Sequence, residues 1–268
     1  MSSPNAPTAA DPTAAGAERF RHAGAYAQYE DNPFLQSRDR AVVDLLPAEV
    51  RSVADCGCGP GSAARAIAAS GRFVASLDAS RVALQHHPPN AVQGSVTSLP
   101  YRARAFDAAV CLEVLEHLPD GALEAAAAEL DRVAGRWLVV GVPLAEALGR
   151  NAMRCPRCGA EFHRSGHVQR FDEGRLRGLF PGLTSRARWI GGPPVRPYPA
   201  GLLWVRHRLA GRFSEMAGRG DVECPSCGET RFPPFRHNLL SFACDGVTRL
   251  ISRRQPYWIV LLFERERA

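Results

Sequence analysis

Ser52-Val53-Ala54-Asp55-Cys56-Gly57-Cys58-Gly59-Pro60-Gly61-Ser62-Ala63-Ala64-Arg65-Ala66-Ile67 is the stretch on which the fold turns. A short apolar run ends at an acid, three glycines follow at alternate positions, and a small-residue segment with helical character begins at Ser62. The pattern is strand, turn, helix. Glycines at such a turn let a ligand approach the backbone, and the helix N-terminus beyond them offers N–H groups without intrahelical partners. The third glycine comes four residues after the first, one fewer than in the dinucleotide fingerprint, and an acid stands two positions before the first. Together these point away from a pyrophosphate ligand.

Working outward, the same alternation continues. A second strand over Arg72 to Leu77 ends at Asp78, and Ser80 caps a short helix through Gln85. A third strand covers Ala91 to Gln93. Phe106 to Leu112 is a buried strand, Gly121 to Val133 an Ala-rich helix and Trp137 to Val142 a fifth strand. Upstream, Ala25 to Leu46 reads as helical, with Tyr26, Tyr29 and Phe34 as anchors and Pro47 as a stop, placed to cover the site. Downstream come a helix near Asp172 to Phe180, a strand near Ser185 to Ile190, helices near Leu202 to Met216 and Leu239 to Ser252, and a closing strand over Tyr257 to Phe263. Alternating β and α elements predict an α/β fold: a Rossmann-like, seven-stranded, mainly parallel sheet with helices on both faces.

The expected organisation is a disordered Ala/Pro/Ser/Thr-rich tail over 1–25, a core over 26–195, an inserted helical and cysteine-bearing lid over 196–256, and a closing core strand over 257–268. The insertion is expected to share a zinc site with residues 155–167 and so form a zinc-stabilised C-terminal unit.

Of the 268 residues, 46% are hydrophobic and 22% charged, ordinary values for a globular chain. No apolar run is long enough to span a bilayer, and no membrane partner is expected. All 33 basic residues are Arg. Absence of lysine excludes Schiff-base chemistry and a Walker-type phosphate loop. The net charge of +6 comes from arginines scattered among acids, as between Arg249 and Arg267, which reads as a solvated surface. Four of the eight cysteines form two Cys-Pro-x-Cys-Gly knuckles, Cys155-Cys158 and Cys224-Cys227. Each knuckle aims two thiolates at one tetrahedral ion, so the four predict a structural zinc with no open coordination position, in a reducing cytoplasm. His163 or His167 is an alternative ligand. Cys56, Cys58, Cys111 and Cys244 read as packing residues.

Asp55 with the Gly57-Gly59-Gly61 loop, Asp78 at the end of strand two, Leu99-Pro100-Tyr101, Phe106-Asp107, and Cys111-Leu112-Glu113-Val114-Leu115-Glu116-His117-Leu118 resemble, in order and spacing, the motifs of class I S-adenosylmethionine-dependent methyltransferases. The resemblance covers about Tyr29 to Val142, and the last strand fits that family's antiparallel edge. It implies an enzyme that transfers a methyl group from S-adenosylmethionine. It implies a cofactor cradle of Asp55, Gly57, Cys58, Gly59, Asp78, Ala79, Ser95, Val96, Cys111 and Glu113, with Asp78 taking the ribose hydroxyls. Where many relatives carry an acid for the adenine amine, this chain has Gly94-Ser95-Val96, so Ser95 or the Val96 backbone must serve.

Methyl transfer is an in-line displacement that needs alignment and exclusion of water more than a base. His117 is the candidate general base where the acceptor must lose a proton. Glu113, Glu116 and His117, with His167 further on, also resemble a divalent-metal site of ubiquinone-pathway O-methyltransferases and small-RNA methyltransferases. The leading expectation is a small-molecule acceptor, a secondary metabolite or sugar. One alternative is an RNA methyltransferase gripping its substrate with the zinc module, as in a ribosomal-RNA guanine methyltransferase family; there the module precedes the catalytic domain, whereas here it interrupts the C-terminal half. The other is a non-enzymatic zinc-ribbon binding protein.

Overall fold

The structure, a computed structural model, describes residues 32–87, 91–211, 213 and 222–266. The expected tail and the part of the first helical segment before Asn32 lie outside the described residues. The first described helix, α1 (Pro33–Leu45), starts where the Asn32 side chain accepts from Phe34 N and Leu35 N, with proline at its first position. Then follow β1 (Ser52–Cys56), α2 (Ser62–Ala69), β2 (Phe73–Asp78), α3 (Arg81–Leu84), β3 (Ala91–Gln93), β4 (Phe106–Leu112), α4 (Asp120–Val133) and β5 (Ala134–Pro143). A small hairpin, β6 (Ala152–Arg154) and β7 (Glu161–His163), precedes α5 (Glu173–Gly178), β8 (Thr184–Val195), α6 (Ala200–Trp204), α7 (Leu239–Ile251) and β9 (Gln255–Glu264).

Seven strands form one sheet in the order β3-β2-β1-β4-β5-β9-β8. β3 through β5 are parallel, and β9 enters antiparallel between β5 and β8. This is the expected Rossmann-like, mainly parallel sheet. Apolar side chains alternate faces along the central strands, so the sheet is buried on both sides. Ala109 and Cys111 of β4 with Ile259, Leu261 and Phe263 of β9 join the core under α4 and α5. Ala108, Val110 and Leu112 with Val260 and Leu262 join the core under α1 and α2.

Strand order reverses at β1, where β2 and β4 flank it, so the carboxyl ends of β1, β2 and β4 open onto one crevice, the usual place for a ligand in such sheets.

Three expectations are corrected. The helix placed at Leu202 to Met216 ends earlier: α6 passes into one π turn at Val205–Leu209, and Gly211 takes a left-handed φ of 61° that stops it. Met216 lies outside the described residues. The strand placed at Ser185 to Ile190 runs on to Val195, through a bulge between Gly191 and Pro194 that lets an edge strand carry prolines. The closing strand begins at Gln255, two residues before the apolar pattern does. No helix among the described residues is long and apolar enough to cross a membrane.

The acid of Phe106-Asp107 has a role in register. Asp107 Oδ2 accepts from Arg51 N at 2.8 Å, Ser52 N at 2.9 Å and Ser52 Oγ at 3.0 Å, tying the start of β1 to the start of β4. Partial burial pushes its carboxyl up, but the donors of Arg51 and Ser52 outweigh that and hold it below the ordinary value. Asp107→Ala is expected to lower the unfolding free energy by about 1–2 kcal/mol in urea titrations at pH 7. A depressed carboxylate stabilises above its unfolded-state pKa and stops doing so as pH falls through its folded value. The gap between wild type and variant should therefore close on acidification; a constant gap down to about pH 3 would contradict the role.

Candidate functional site

The loop between β1 and α2 is folded back under β2. Gly57 N and Cys58 N both donate to Leu77 O, at 2.7 and 3.0 Å. Gly57, Gly59 and Gly61 have φ of 84°, 52° and 84°, a left-handed series that side chains disfavour. Space decides which glycine matters most: a Cβ at Gly57 would lie 2.2 Å from Val114 Cγ2, whereas one at Gly59 would meet nothing within 4 Å. Gly61 caps α2 with no side-chain bond, so no cap side chain takes up the first N–H groups of that helix.

Two acids end the strands on either side of the loop. Asp55 is 2% exposed, and its Oδ2 has no hydrogen-bond partner. Burial first, then Asp39 and Asp78, raise its pKa to about 7, with Arg38 opposing. Arg38 and Asp39 form a buried pair in α1, Nη2 to Oδ1 2.9 Å, and the guanidinium lies over the Trp258 ring. Asp78 is also raised by burial, but Gly59 N donates to its Oδ2 at 2.8 Å and Ser80 N to its Oδ1 at 2.7 Å. Each of those oxygens keeps a second lone pair.

Ala79 follows Asp78, half-buried. Ser95 Oγ lies 2.7 Å from Thr97 Oγ1 in a turn after β3, and Val96 is buried. Cys56, Cys58 and Cys111 are buried, and burial pushes all three thiols far up, so none is a ready nucleophile.

Past β4 the chain makes a sharp turn. Glu113 takes φ 56°, its N–H donating to Gly141 O, and Leu115–His117 form a short 3₁₀ turn. Glu116 is 1% exposed, and neither carboxylate oxygen has a hydrogen-bond partner. Burial, then the neighbouring Glu113, raise its pKa well above the ordinary value. Its carbonyl, however, is fully used: Val168 N and Gln169 N donate to it at 2.8 and 3.0 Å, bringing His167 alongside. Glu116, His117 and His167 thus present ligand atoms within 4.8 Å of one another. Glu113 lies outside that 4.8 Å set, but its Oε1 is buried with no hydrogen-bond partner and its charge is felt by Glu116. Burial raises the Glu113 carboxyl, with Arg38 and His167 among the groups that act to lower it.

A second group went unread in the sequence: Glu146, His163 and His167 also converge within 4.8 Å. Glu146 follows β5 in a loop, where an acid normally reads as solvated, and His163 reads only as a cysteine-site alternative. Their convergence depends on β7 and the following turn packing back over the end of β5, which no local pattern encodes.

The two cysteine knuckles have matching frames. Cys155 N donates to Ala160 O and Gly159 N to Cys155 O; Cys224 N donates to Glu229 O and Gly228 N to Cys224 O. Gly159 and Gly228 both take left-handed φ, at 76° and 71°. The four sulfurs lie within 4.8 Å of one another, with Cys155 to Cys227 3.6 Å and Cys158 to Cys224 3.7 Å. A tetrahedral ion with Zn–S of about 2.3 Å requires sulfurs about 3.8 Å apart. Met153, Val222 and Phe232 pack around them as a small separate core.

Residues 54–136 match a family model described as a methyltransferase domain. The chain is similar to the ubiquinone biosynthesis O-methyltransferase of Paracidovorax citrulli, 33% identical over 89 residues, covering 29% of this chain and 37% of that protein. It is also similar to the enzyme of the same name from Thiobacillus denitrificans, 33% identical over 134 residues, covering 46% of this chain and 54% of that protein. The chain therefore matches about half or less of the length of these curated relatives. Among solved structures, it resembles magnesium protoporphyrin IX methyltransferase from Synechocystis PCC 6803 with bound SAH, at 16% identity and TM-score 0.57, covering 96% of this chain and 100% of that one. It also resembles the 1,6-didemethyltoxoflavin-N1-methyltransferase of Burkholderia thailandensis, at 15% identity and TM-score 0.53, covering 98% and 93%. At such identities the likeness is one of fold.

Proposed function

We propose that this chain, which carries a methyltransferase domain over residues 54–136, transfers a methyl group from S-adenosylmethionine to a small-molecule acceptor. The observation that carries the reading is the buried, unpartnered oxygen of Asp55 beside a left-handed glycine loop. A carboxyl desolvated to this degree is stabilised by a cationic donor, and the cofactor offers an ammonium group and a sulfonium. In this reading Asp55 takes the amino group and the Gly57–Gly61 loop lies along the cofactor. The spare lone pairs of Asp78 accept the ribose hydroxyls. Ala79, Ser95 and Val96 border the adenine, while Cys111 and Glu113 close the β4 side.

For the acceptor, a hydroxylated secondary metabolite or sugar is favoured. The named relatives are O-methyltransferases, and a crevice at strand ends suits a small ligand. We also propose a divalent ion held by Glu116, His117 and His167. The fit rests on Glu116: a fully buried carboxylate with both oxygens unsatisfied is costly unless a cation or a proton balances it. When bound, such an ion supplies a Lewis acid that lowers the pKa of an acceptor hydroxyl. His117, the general base of the sequence reading, then serves as a ligand, and Glu113 lines the cofactor side of the same turn. The four cysteines are proposed to hold structural zinc, which pins the 196–254 connection to the β6–β7 hairpin; a reducing compartment such as the cytoplasm keeps these thiolates available.

Labelled methyl from S-adenosylmethionine, supplied with protein to host extract split into metabolite, RNA and protein fractions, is expected to enter the metabolites and to vanish with Asp78→Ala. Label in RNA alone would move the zinc module to a substrate-gripping role; no label in any fraction would contradict the enzyme. As isolated, the chain is expected to hold one zinc per molecule. Cys155→Ser with Cys224→Ser should lose it and lower the thermal midpoint by several degrees. Full zinc retention in the double variant would exclude the four-cysteine site.

A further inference from the structure

His167 belongs to two overlapping groups, and both cannot be ion sites of the same kind. The hydrogen bonds around the rings decide between them. His163 Nδ1 lies 3.2 Å from Ser165 N and 3.1 Å from His167 N, both backbone donors. A nitrogen that accepts from N–H groups carries no proton, so in the neutral ring the proton sits on Nε2. That Nε2 faces Glu146 Oε1 at 3.4 Å. His163 Nε2 thus carries an N–H near Glu146 without hydrogen-bond geometry, and has no lone pair to give an ion there.

His167 Nδ1 meets the other oxygen of the same carboxylate, Glu146 Oε2, at 2.5 Å. An ionised carboxylate only accepts, so Nδ1 bears the proton and Nε2 is left with the ring's lone pair. The two imidazoles are stacked, centroids 4.6 Å apart, while the His117 ring meets His167 edge-on at 4.7 Å.

Glu146 is itself held from several sides. Asn151 Nδ2 donates to Oε1 at 2.8 Å, and Tyr257 OH lies 3.5 Å from the same oxygen. The backbone reaches this point through Ala145, a non-glycine residue at φ 51°, whose N–H donates to Phe171 O at 2.6 Å; Leu144 N donates to Tyr257 O at 2.7 Å. A left-handed alanine is disfavoured and persists where its surroundings enforce it. Here the enforced turn directs Glu146, 8% exposed, onto His167.

We propose that Glu146 is the positioning residue of the ion site. Its carboxylate keeps the His167 proton on Nδ1, so that Nε2 serves the ion with Glu116 and His117, and His163 braces that carboxylate without coordinating. This rests on the divalent-ion reading above. It assigns the Glu146–His163–His167 group to the outer shell, where a carboxylate behind a ligating imidazole fixes ring orientation and raises basicity.

The test is a Co²⁺ titration of the full chain, with its tightly held zinc left in place and weaker ions removed by dialysis against a chelator. It reads dissociation constant and visible absorption spectrum. Wild type is expected to take up one Co²⁺, and Glu116→Gln and His167→Ala to lose it. Glu146→Gln should weaken binding about ten- to a hundredfold with shifted bands, and Glu146→Asp should restore part of the affinity. His163→Gln should keep the wild-type spectrum within a few-fold in affinity. Thermal midpoints near wild type establish that the variants fold. Wild-type affinity and spectrum in Glu146→Gln would overturn the assignment while leaving the ion reading intact. Loss of the ion in His163→Gln equal to that in His117→Ala would make His163 a ligand and overturn it likewise. No Co²⁺ uptake by wild type would remove the ion reading and this assignment together.

Discussion

The contact between Gly57 and Val114 is the constraint on which the rest of the crevice depends. With a Cβ at 57 only 2.2 Å from Val114 Cγ2, the loop after β1 and the turn after β4 can close only when residue 57 is glycine in a left-handed conformation. Val114 directly precedes the 3₁₀ turn carrying Glu116 and His117. The same approach that sets the glycine loop on Leu77 thus ties it to the turn that carries Glu116 and His117. The glycine loop with Asp55 and the turn with Glu116 and His117 are held in one frame by backbone geometry.

Beyond that frame, the crevice is built from polar groups whose burial is costly. Asp55, Glu113 and Glu116 each bury at least one oxygen with no hydrogen-bond partner. Other acids near the crevice have found compensation within the protein: Asp78 in two backbone N–H groups, Asp39 in Arg38, Glu146 in Asn151 and two histidines. Unsatisfied buried carboxylates concentrate where a ligand supplies the missing partner.

Much of the sheet was legible because its signals are local. β3 and β4 have the limits that apolar runs and turn residues predict, and the Ser80 cap is formed as read, Ala83 N donating to its Oγ. Where the sequence misled, the cause was local chemistry that propensity does not register. Gly211 ended a helix whose apolar pattern continues, and bulges carried β8 through Pro193 and Pro194. The site was legible in proportion to contiguity: the glycine loop and the turn after β4 are short segments, as are the knuckles. Glu146 and His163 were missed because they meet only through tertiary closure, Leu144 N on Tyr257 O and Ala145 N on Phe171 O.

The most direct test of the account is calorimetric titration of S-adenosylmethionine into the purified chain from about pH 5.5 to about pH 7.5. Burial raises the Asp55 pKa to about 7, and the proposed contact with the cofactor's amino group requires the ionised form. One-to-one binding should therefore tighten about twentyfold as pH rises over that range and weaken again above about pH 8, where the cofactor's amino group loses its proton, and Asp55→Asn should bind weakly without the rise. Absence of binding, or wild-type affinity that ignores pH while Asp55→Asn matches it, would contradict the account.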